Sequence, residues 1–302
     1  MGGIQTLPTS KDTNAAILKN KLGPWASHAM QNRSVVKPEQ ALENIIGYCE
    51  NKYPALILGP GPSLEFVEPY IGHYTRGKFM VCACNTALNP LIARGKVPDV
   101  IFAYDPAEAV GEQIEEYVDA CPEEYRKDTI LIAPVTIHPR VPKAWPHRIY
   151  WFVPDESTTP ETNIFNETLA AQYPDITRMS NHSCVFMLMI AISHAILKAA
   201  PIFAAGFELP IRLGATYGCA RYDLREPDNP IPLAGQHKEM TQKYVILHRR
   251  YVSALLGLIR SEGIPFVNLS PLASFRELIT TRPPYTITLD PEEVASNGPN
   301  GI

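Results

Sequence analysis

The sequence predicts an α/β protein: a mostly parallel sheet with helices on both faces. Three observations carry this. Short apolar runs alternate with helical segments along the chain, the pattern that builds parallel sheets. The first run, Ala55–Leu58, is apolar throughout, as a buried strand is. It leads straight into Gly59-Pro60-Gly61-Pro62, where neither strand nor helix continues. Ser63 then offers an N-cap for a helix entered at Leu64.

Taken in order, residues 1–12 read as a tail and 14–30 as helical in part. Pro38 to Cys49 reads as a helix, with Ala41, Ile45, Ile46 and Cys49 on one face. Beyond the glycine turn, Phe79–Cys84 is a second strand, closed by Asn85 and Thr86, and Ala87–Ala93 a short helix. Asp99–Tyr104 is a third strand, ending at Asp105-Pro106, and Glu108–Val118 an acidic, exposed helix. Thr129–Pro134 and Ile149–Val153 are the fourth and fifth strands. Pro154 to Arg178 shows no strong period and reads as a lid or irregular insertion. The Ser180–Ser183 turn then enters a helix over Cys184–Lys198, apolar nearly all round and so buried. Pro201–Ala205 is a sixth strand, ending at Gly206-Phe207-Glu208.

Pro210 to Gln236 reads as a long loop, the kind that is functional or mobile. Lys238–Arg260 is a long helix, with Met240, Tyr244, Leu247, Tyr251, Leu255 and Leu258 at helical spacing and Gly263 as its C-cap. Pro265–Leu269 is the last strand, and Tyr285 to Ile302 reads as an extended tail. The implied division is an N-terminal tail and helical segment over 1–50, the sheet domain over 51–282, and a C-terminal tail over 283–302.

With 302 residues, 45% hydrophobic and 19% charged, the chain has material for a sizeable core and is not globally disordered. A net charge of −4 gives no pull towards nucleic acid or anionic membrane. The six cysteines show no zinc-ligand spacing and read as buried free thiols of a reducing cytosol. No signal peptide is visible, and the loose myristoylation pattern at Gly2–Thr6 is taken as chance. The longest apolar block, Cys184–Ile192, is too short to span a bilayer.

In a parallel sheet, ligands bind at the carboxyl ends of the strands. That rule places Gly59–Ser63, Asn85–Thr86, Asp105, Ser180–Ser183 and Gly206–Glu208 along one rim. The strand, glycine turn and helix start make an anion site through free N–H groups and the helix dipole. The alternative is an ordinary βα turn that needed glycine for its geometry.

Ile57-Leu58-Gly59-Pro60-Gly61-Pro62-Ser63-Leu64 resembles the GxGPSL segment of the MptE-like proteins. That group includes the archaeal 6-hydroxymethylpterin diphosphokinase and the motility-associated factor glycosyltransferases, and the same signature opens the Cst-type bacterial sialyltransferases. Cys84–Leu88, Val97–Pro106, Ser180–Val185, Ile202–Glu208 and Phe266–Pro271 resemble further family segments in the same order, over roughly residues 40 to 280. The resemblance implies a Rossmann-like, sialyltransferase-like nucleotide-binding domain and a CMP- or UDP-sugar donor. Gly59, Gly61, Pro62 and Ser63 would lie on phosphate, and Asn85 and Thr86 on the donor. Asn181, His182 and Ser183 would meet phosphate or base, with Gly206 and Glu208 beside them. Tyr217 matches a tyrosine that steadies the departing phosphate. The chain departs from the sialyltransferase pattern at Pro60 (Asn there), Asn181-His182 (no glycine), Glu208 (Asp there) and Pro210 (Tyr there).

Glycosyl transfer needs a base for the acceptor hydroxyl, and His237 is placed near the sialyltransferase catalytic histidine. His182 is second; His194 and His248 read as packing residues, and His28, His73, His138 and His147 as solvent-exposed. Asp105 either binds ribose, holds Mg²⁺, or caps the turn before Pro106. Three functions follow: a glycosyltransferase with a glycan, protein or small-molecule acceptor; a Mg²⁺-dependent diphosphokinase of a pterin-like alcohol, using Asp105 and Glu208; or a non-catalytic module. Each is cytoplasmic, without nucleic acid or a membrane span, and leaves a homo-oligomer open.

Overall fold

All seven expected strands form, and two more join them. This computed structural model describes residues 22–50, 53–61, 64–67, 79–155, 160–180, 185–206, 257–259, 261–269 and 286–288. The strands are β1 (Ala55–Leu58), β2 (Met80–Cys84), β3 (Val100–Phe102), β4 (Ile130–Pro134), β5 (Ile149–Asp155), β6 (Arg178–Ser180), β7 (Ile202–Ala205), β8 (Phe266–Asn268) and β9 (Thr286–Thr288). They make one sheet in the order β6-β5-β4-β3-β2-β1-β7-β8-β9. Every pair in it is parallel. β1 lies between β2 and β7, with Ala55 opposite both Met80 and Ile202. All residues of β1, β2, β3 and β4 are buried, as an all-parallel sheet requires.

The helices are α1 (residues 22–32), α2 (Leu64–Val67), α3 (Asn85–Ile92), α4 (Glu108–Ala120), α5 (Glu123–Arg126), α6 (Arg140–Ala144), α7 (Pro160–Gln172) and α8 (Val185–Ala195). From β1 to β6 each new strand is added on the same side. The β6–α8–β7 crossover returns past β1 in the opposite direction. Right-handed crossovers running in opposite directions place their helices on opposite faces. α8 therefore covers the face opposite to α3 and α4, against β1, β2 and β7. Phe186 to Ser193 are buried along its whole length. No helix among the described residues is long and apolar enough to cross a membrane.

Several expectations are corrected. Pro38–Cys49 is not an α-helix but two short 3₁₀ turns, Pro38–Gln40 and Leu42–Ile45. Its backbone is claimed from outside: Ala41 bridges Trp151 in parallel, filling the edge of β5 that β6 leaves open. Gly47 and Cys49 donate to the Ile196 and Leu197 carbonyls at 2.7 and 2.8 Å. Ile46 is exposed rather than in line with Ala41, Ile45 and Cys49. Pro154–Arg178 is not irregular but holds α7 and β6. The helix start after β2 falls at Asn85, not Ala87. Thr286–Thr288, expected in a tail, is the edge strand β9 paired with β8. Residues 22–50 belong to the packing of the sheet domain, with Trp25, Ala29, Leu42 and Cys49 in its core. The Pro210–Gln236 loop and most of the Lys238–Arg260 helix lie outside the described residues. At the end of that helix, Gly263 has φ +62°, and Ile264 donates to the Ile259 carbonyl at 2.9 Å, a glycine-terminated helix end. Cys49, Cys82, Cys84 and Cys121 are buried free thiols.

Candidate functional site

The direction of strand addition reverses between β1 and β7. In open parallel sheets such a reversal is where ligands bind, at the carboxyl edge. Gly59, Pro60 and Gly61 leave β1 at this point and Gly206 leaves β7. Gly59 donates to the Ala205 carbonyl at 2.9 Å and Gly61 to the Gly206 carbonyl at 2.5 Å, while Leu64 donates back to Gly61 at 3.0 Å. Gly206 has φ +73°, and a Cβ there would lie 2.0 Å from the Gly59 carbonyl oxygen. Two backbones thus meet with no side chain between them. This corrects one expectation about the turn. The amides of Gly59 and Gly61 are not free for an anion but hold the turn to β7, and Pro60 and Pro62 have no N–H.

The next strand ends carry the other described candidates. Asn85, 7% exposed, opens α3 directly from β2 and donates through Nδ2 to Gln113 Oε1 of α4 at 2.6 Å. Asn89, one turn on, does the same to Glu116, so these amides lock α3 to α4. Thr86 is half-buried, its Oγ1 3.2 Å from Cys84 Sγ. Asp105 is exposed beyond β3, and its Oδ1 accepts the Ala107 N–H at 3.0 Å, the turn-capping geometry. Among the described residues no three His, Cys, Asp or Glu side chains converge as a metal site. Ser180 ends β6 at the far edge of the sheet, five strands from β1. Pro62, Ser63, Asn181, His182, Ser183, Glu208, Tyr217 and His237 lie outside the described residues.

A family model described as 6-hydroxymethylpterin diphosphokinase MptE-like matches residues 27–211. The chain belongs to the MptE-like family. No curated protein matches it in sequence. Among solved structures it is similar to the MAf glycosyltransferase of Magnetospirillum magneticum AMB-1, at 14% identity and a TM-score of 0.42. The match covers 84% of this chain and 37% of that one.

In this MptE-like chain α1 is tied to the carboxyl edge of β4. Asn32, 1% exposed, donates through Nδ2 to the Val135 and Ile137 carbonyls at 3.0 and 2.8 Å. The Tyr173 hydroxyl donates to the Ala29 carbonyl, and Trp25 packs beside Phe165. Two histidines that the sequence placed in solvent meet here, His28 of α1 and His138 beyond β4. The rings of His28 and His138 are half-buried and meet edge to face, centroids 4.8 Å apart. His147 is likewise against Trp145. No local pattern signals the His28–His138 pair, because its members come from distant segments.

Burial, and then the neighbouring His138, hold the His28 imidazole below its ordinary value of 6.5, against an opposing effect of the Thr136 carbonyl. Lys143 and Arg140 line a small cavity together with these two rings. Unfolded, His28 takes up its proton near pH 6.5; folded, it does so only at lower pH. The stability tied to this group is therefore complete above about pH 6.5 and is lost as the pH falls through the folded value. Urea midpoints measured from pH 8 to pH 5 are expected to fall more steeply for the wild type than for His28→Gln. Parallel curves would contradict this.

Proposed function

We propose that this chain is a transferase that passes a sugar from a CMP- or UDP-linked donor to an acceptor hydroxyl. The observation that supports it best is the reversal of strand order between β1 and β7, where the Gly59 and Gly206 backbones meet with no side chain between them. Nucleotides bind at this point in open parallel sheets. Since the Gly59 and Gly61 amides are engaged, the glycines supply close approach. Ser63, through its N–H and hydroxyl, and Thr86 are then the donors proposed for the diphosphate. Asn85, Gly206 and Glu208 complete the donor site, with Asn181, His182 and Ser183 on phosphate or base. In the transfer the bond between the anomeric carbon and the phosphate oxygen breaks, and the acceptor oxygen bonds to that carbon. His237 takes the acceptor proton, and Tyr217 donates a hydrogen bond to the departing phosphate. Asp105 is proposed to orient ribose.

The family description favours a second reading, a Mg²⁺-dependent diphosphokinase of a pterin-like alcohol. Its ion would be shared by Asp105 and Glu208. One oxygen of Asp105 already accepts the Ala107 N–H. β2 and β1 also stand between β3 and β7, a span of about 14 Å at three strand spacings. The sheet therefore gives the shared-ion arrangement less support than the transfer reading.

Thermal unfolding with CMP, UDP, ATP and GTP, each with and without Mg²⁺, separates the two. At about 100 times Kd a bound ligand adds about 2.7 kcal/mol, a rise in Tm of roughly 5 °C or more for a chain of this size. The first reading expects that rise with CMP or UDP and no Mg²⁺ requirement. His237→Ala should then keep the shift and lose about 10²–10⁴-fold in turnover. A rise only with ATP or GTP plus Mg²⁺ favours the diphosphokinase. No rise with any nucleotide leaves the non-catalytic module.

A further inference from the structure

We propose that the carboxyl edge of β4 carries a second binding site, between α1 and the segment 138–143, that takes a phosphate or carboxylate group. A cavity of about 260 Å³ lies there, lined by His28 and Gln31 of α1 and by His138, Pro139, Arg140 and Lys143. That volume holds a small polar group rather than a whole nucleotide. No acidic side chain lines it.

The hydrogen-bonding state of the lining selects the ligand. His138 Nδ1 accepts the Arg140 backbone N–H at 3.2 Å, so the neutral ring carries its proton on Nε2 and offers a donor there. A metal ion needs a lone pair at that nitrogen, so this tautomer suits an oxygen acceptor instead. His28 shares the lining, its ring edge to face against that of His138. Lys143 is exposed and has no ion-pair partner among the described residues, whereas Arg140 is held by Glu108, Glu112 and Glu115 of α4. Arg140 thus fixes the wall, and Lys143 is the charge that an anion would meet.

β4 lies three strands from β1 on the same edge, about 14 Å away. A group bound here is separate from a phosphate at the ends of β1 and β7. In the transfer reaction it would be the acidic group of the acceptor, and that assignment alone rests on the reading above.

The test is a titration of the full chain followed by the imidazole proton signals, with His28→Gln and His138→Gln used to assign them. Inorganic phosphate, acetate and Zn²⁺ are added in separate arms. The expected result is a saturable movement of both the His28 and His138 signals with phosphate or with acetate, the two arms telling which group is preferred. Lys143→Gln, a surface change, should weaken that binding about fivefold or more, the loss of one charge-assisted contact, with Tm unchanged. Saturation by Zn²⁺ alone overturns the proposal. So does the absence of saturable movement with either anion, or anion binding equally tight in Lys143→Gln and His138→Gln. Because the probes are inorganic phosphate and acetate, the result does not depend on nucleotide binding. Failure of the transfer reading and failure of this one are seen separately.

Discussion

Gly206→Ala is expected to destabilise the protein by about 2–5 kcal/mol. Two effects add. The residue sits at φ +73°, where a Cβ carries a penalty of roughly 1–2 kcal/mol. The new Cβ would also stand 2.0 Å from the Gly59 carbonyl oxygen and 2.7 Å from its carbon. Neither is a side-chain end that can rotate away. Both belong to a backbone fixed by the Gly59–Ala205 and Gly61–Gly206 hydrogen bonds. Overpacking of this kind costs about 1–3 kcal/mol, and relief means pulling the turn off β7. Gly263→Ala is the internal control: φ is +62° there but nothing lies within 4 Å of the added Cβ. It should show the backbone penalty alone, about 1–2 kcal/mol. Urea unfolding of both variants measures the difference. Equal losses would mean that the two turns do not touch, and the backbone contact on which the functional proposal rests would be absent.

The strand runs were legible in the sequence because an all-parallel sheet buries both faces, so β1, β2 and β4 are apolar without interruption. α7 was not, for a matching reason. Its buried face is made by Thr162, Phe165, Asn166 and Leu169, and two polar residues erase the apolar period. Asn166 is satisfied in the fold by Asp155 Oδ1 at 2.7 Å, a partner that local pattern does not reveal. The Pro38–Cys49 segment failed in the opposite sense. Its apolar spacing suits a helix, yet backbone partners at Trp151, Ile196 and Leu197 hold it in turns. At the candidate site the turn was legible and its hydrogen bonding was not. Gly59–Gly61 announces a tight turn, but its acceptors are Ala205 and Gly206, far along the chain. Asn85 looked like a strand-closing residue, because Asn favours caps and turns. It is instead the first residue of α3, bonded to Gln113.

Asn32→Leu is expected to remove about 2–4 kcal/mol, the second large effect. Asn32 is buried to 1% exposure, and both hydrogens of its amide nitrogen go to the Val135 and Ile137 carbonyls. Leucine has a similar shape and fits the space, so the change deletes donors rather than volume. It leaves two buried carbonyls without these bonds, each worth about 1–3 kcal/mol when left unpaired. Local relaxation brings the total below the sum. Asn32→Asp should be worse at neutral pH, because a carboxylate would face two carbonyl oxygens with no donor between them. The loss should be local before it is global: Asn32 ties the last turn of α1 to the carboxyl edge of β4, while Trp25 and Tyr173 hold the helix further back. Hydrogen exchange is therefore expected to speed up at the Ile137 and Val141 amides, near the loosened edge, at denaturant levels that leave the β1 and β2 amides protected. Since α1 supplies His28 and Gln31 to the cavity at β4, the same variant should weaken phosphate binding there without altering the turns at β1 and β7. A stability within about 0.5 kcal/mol of the wild type, with exchange unchanged at Ile137 and Val141, would show that α1 is not locked to the sheet edge by this residue.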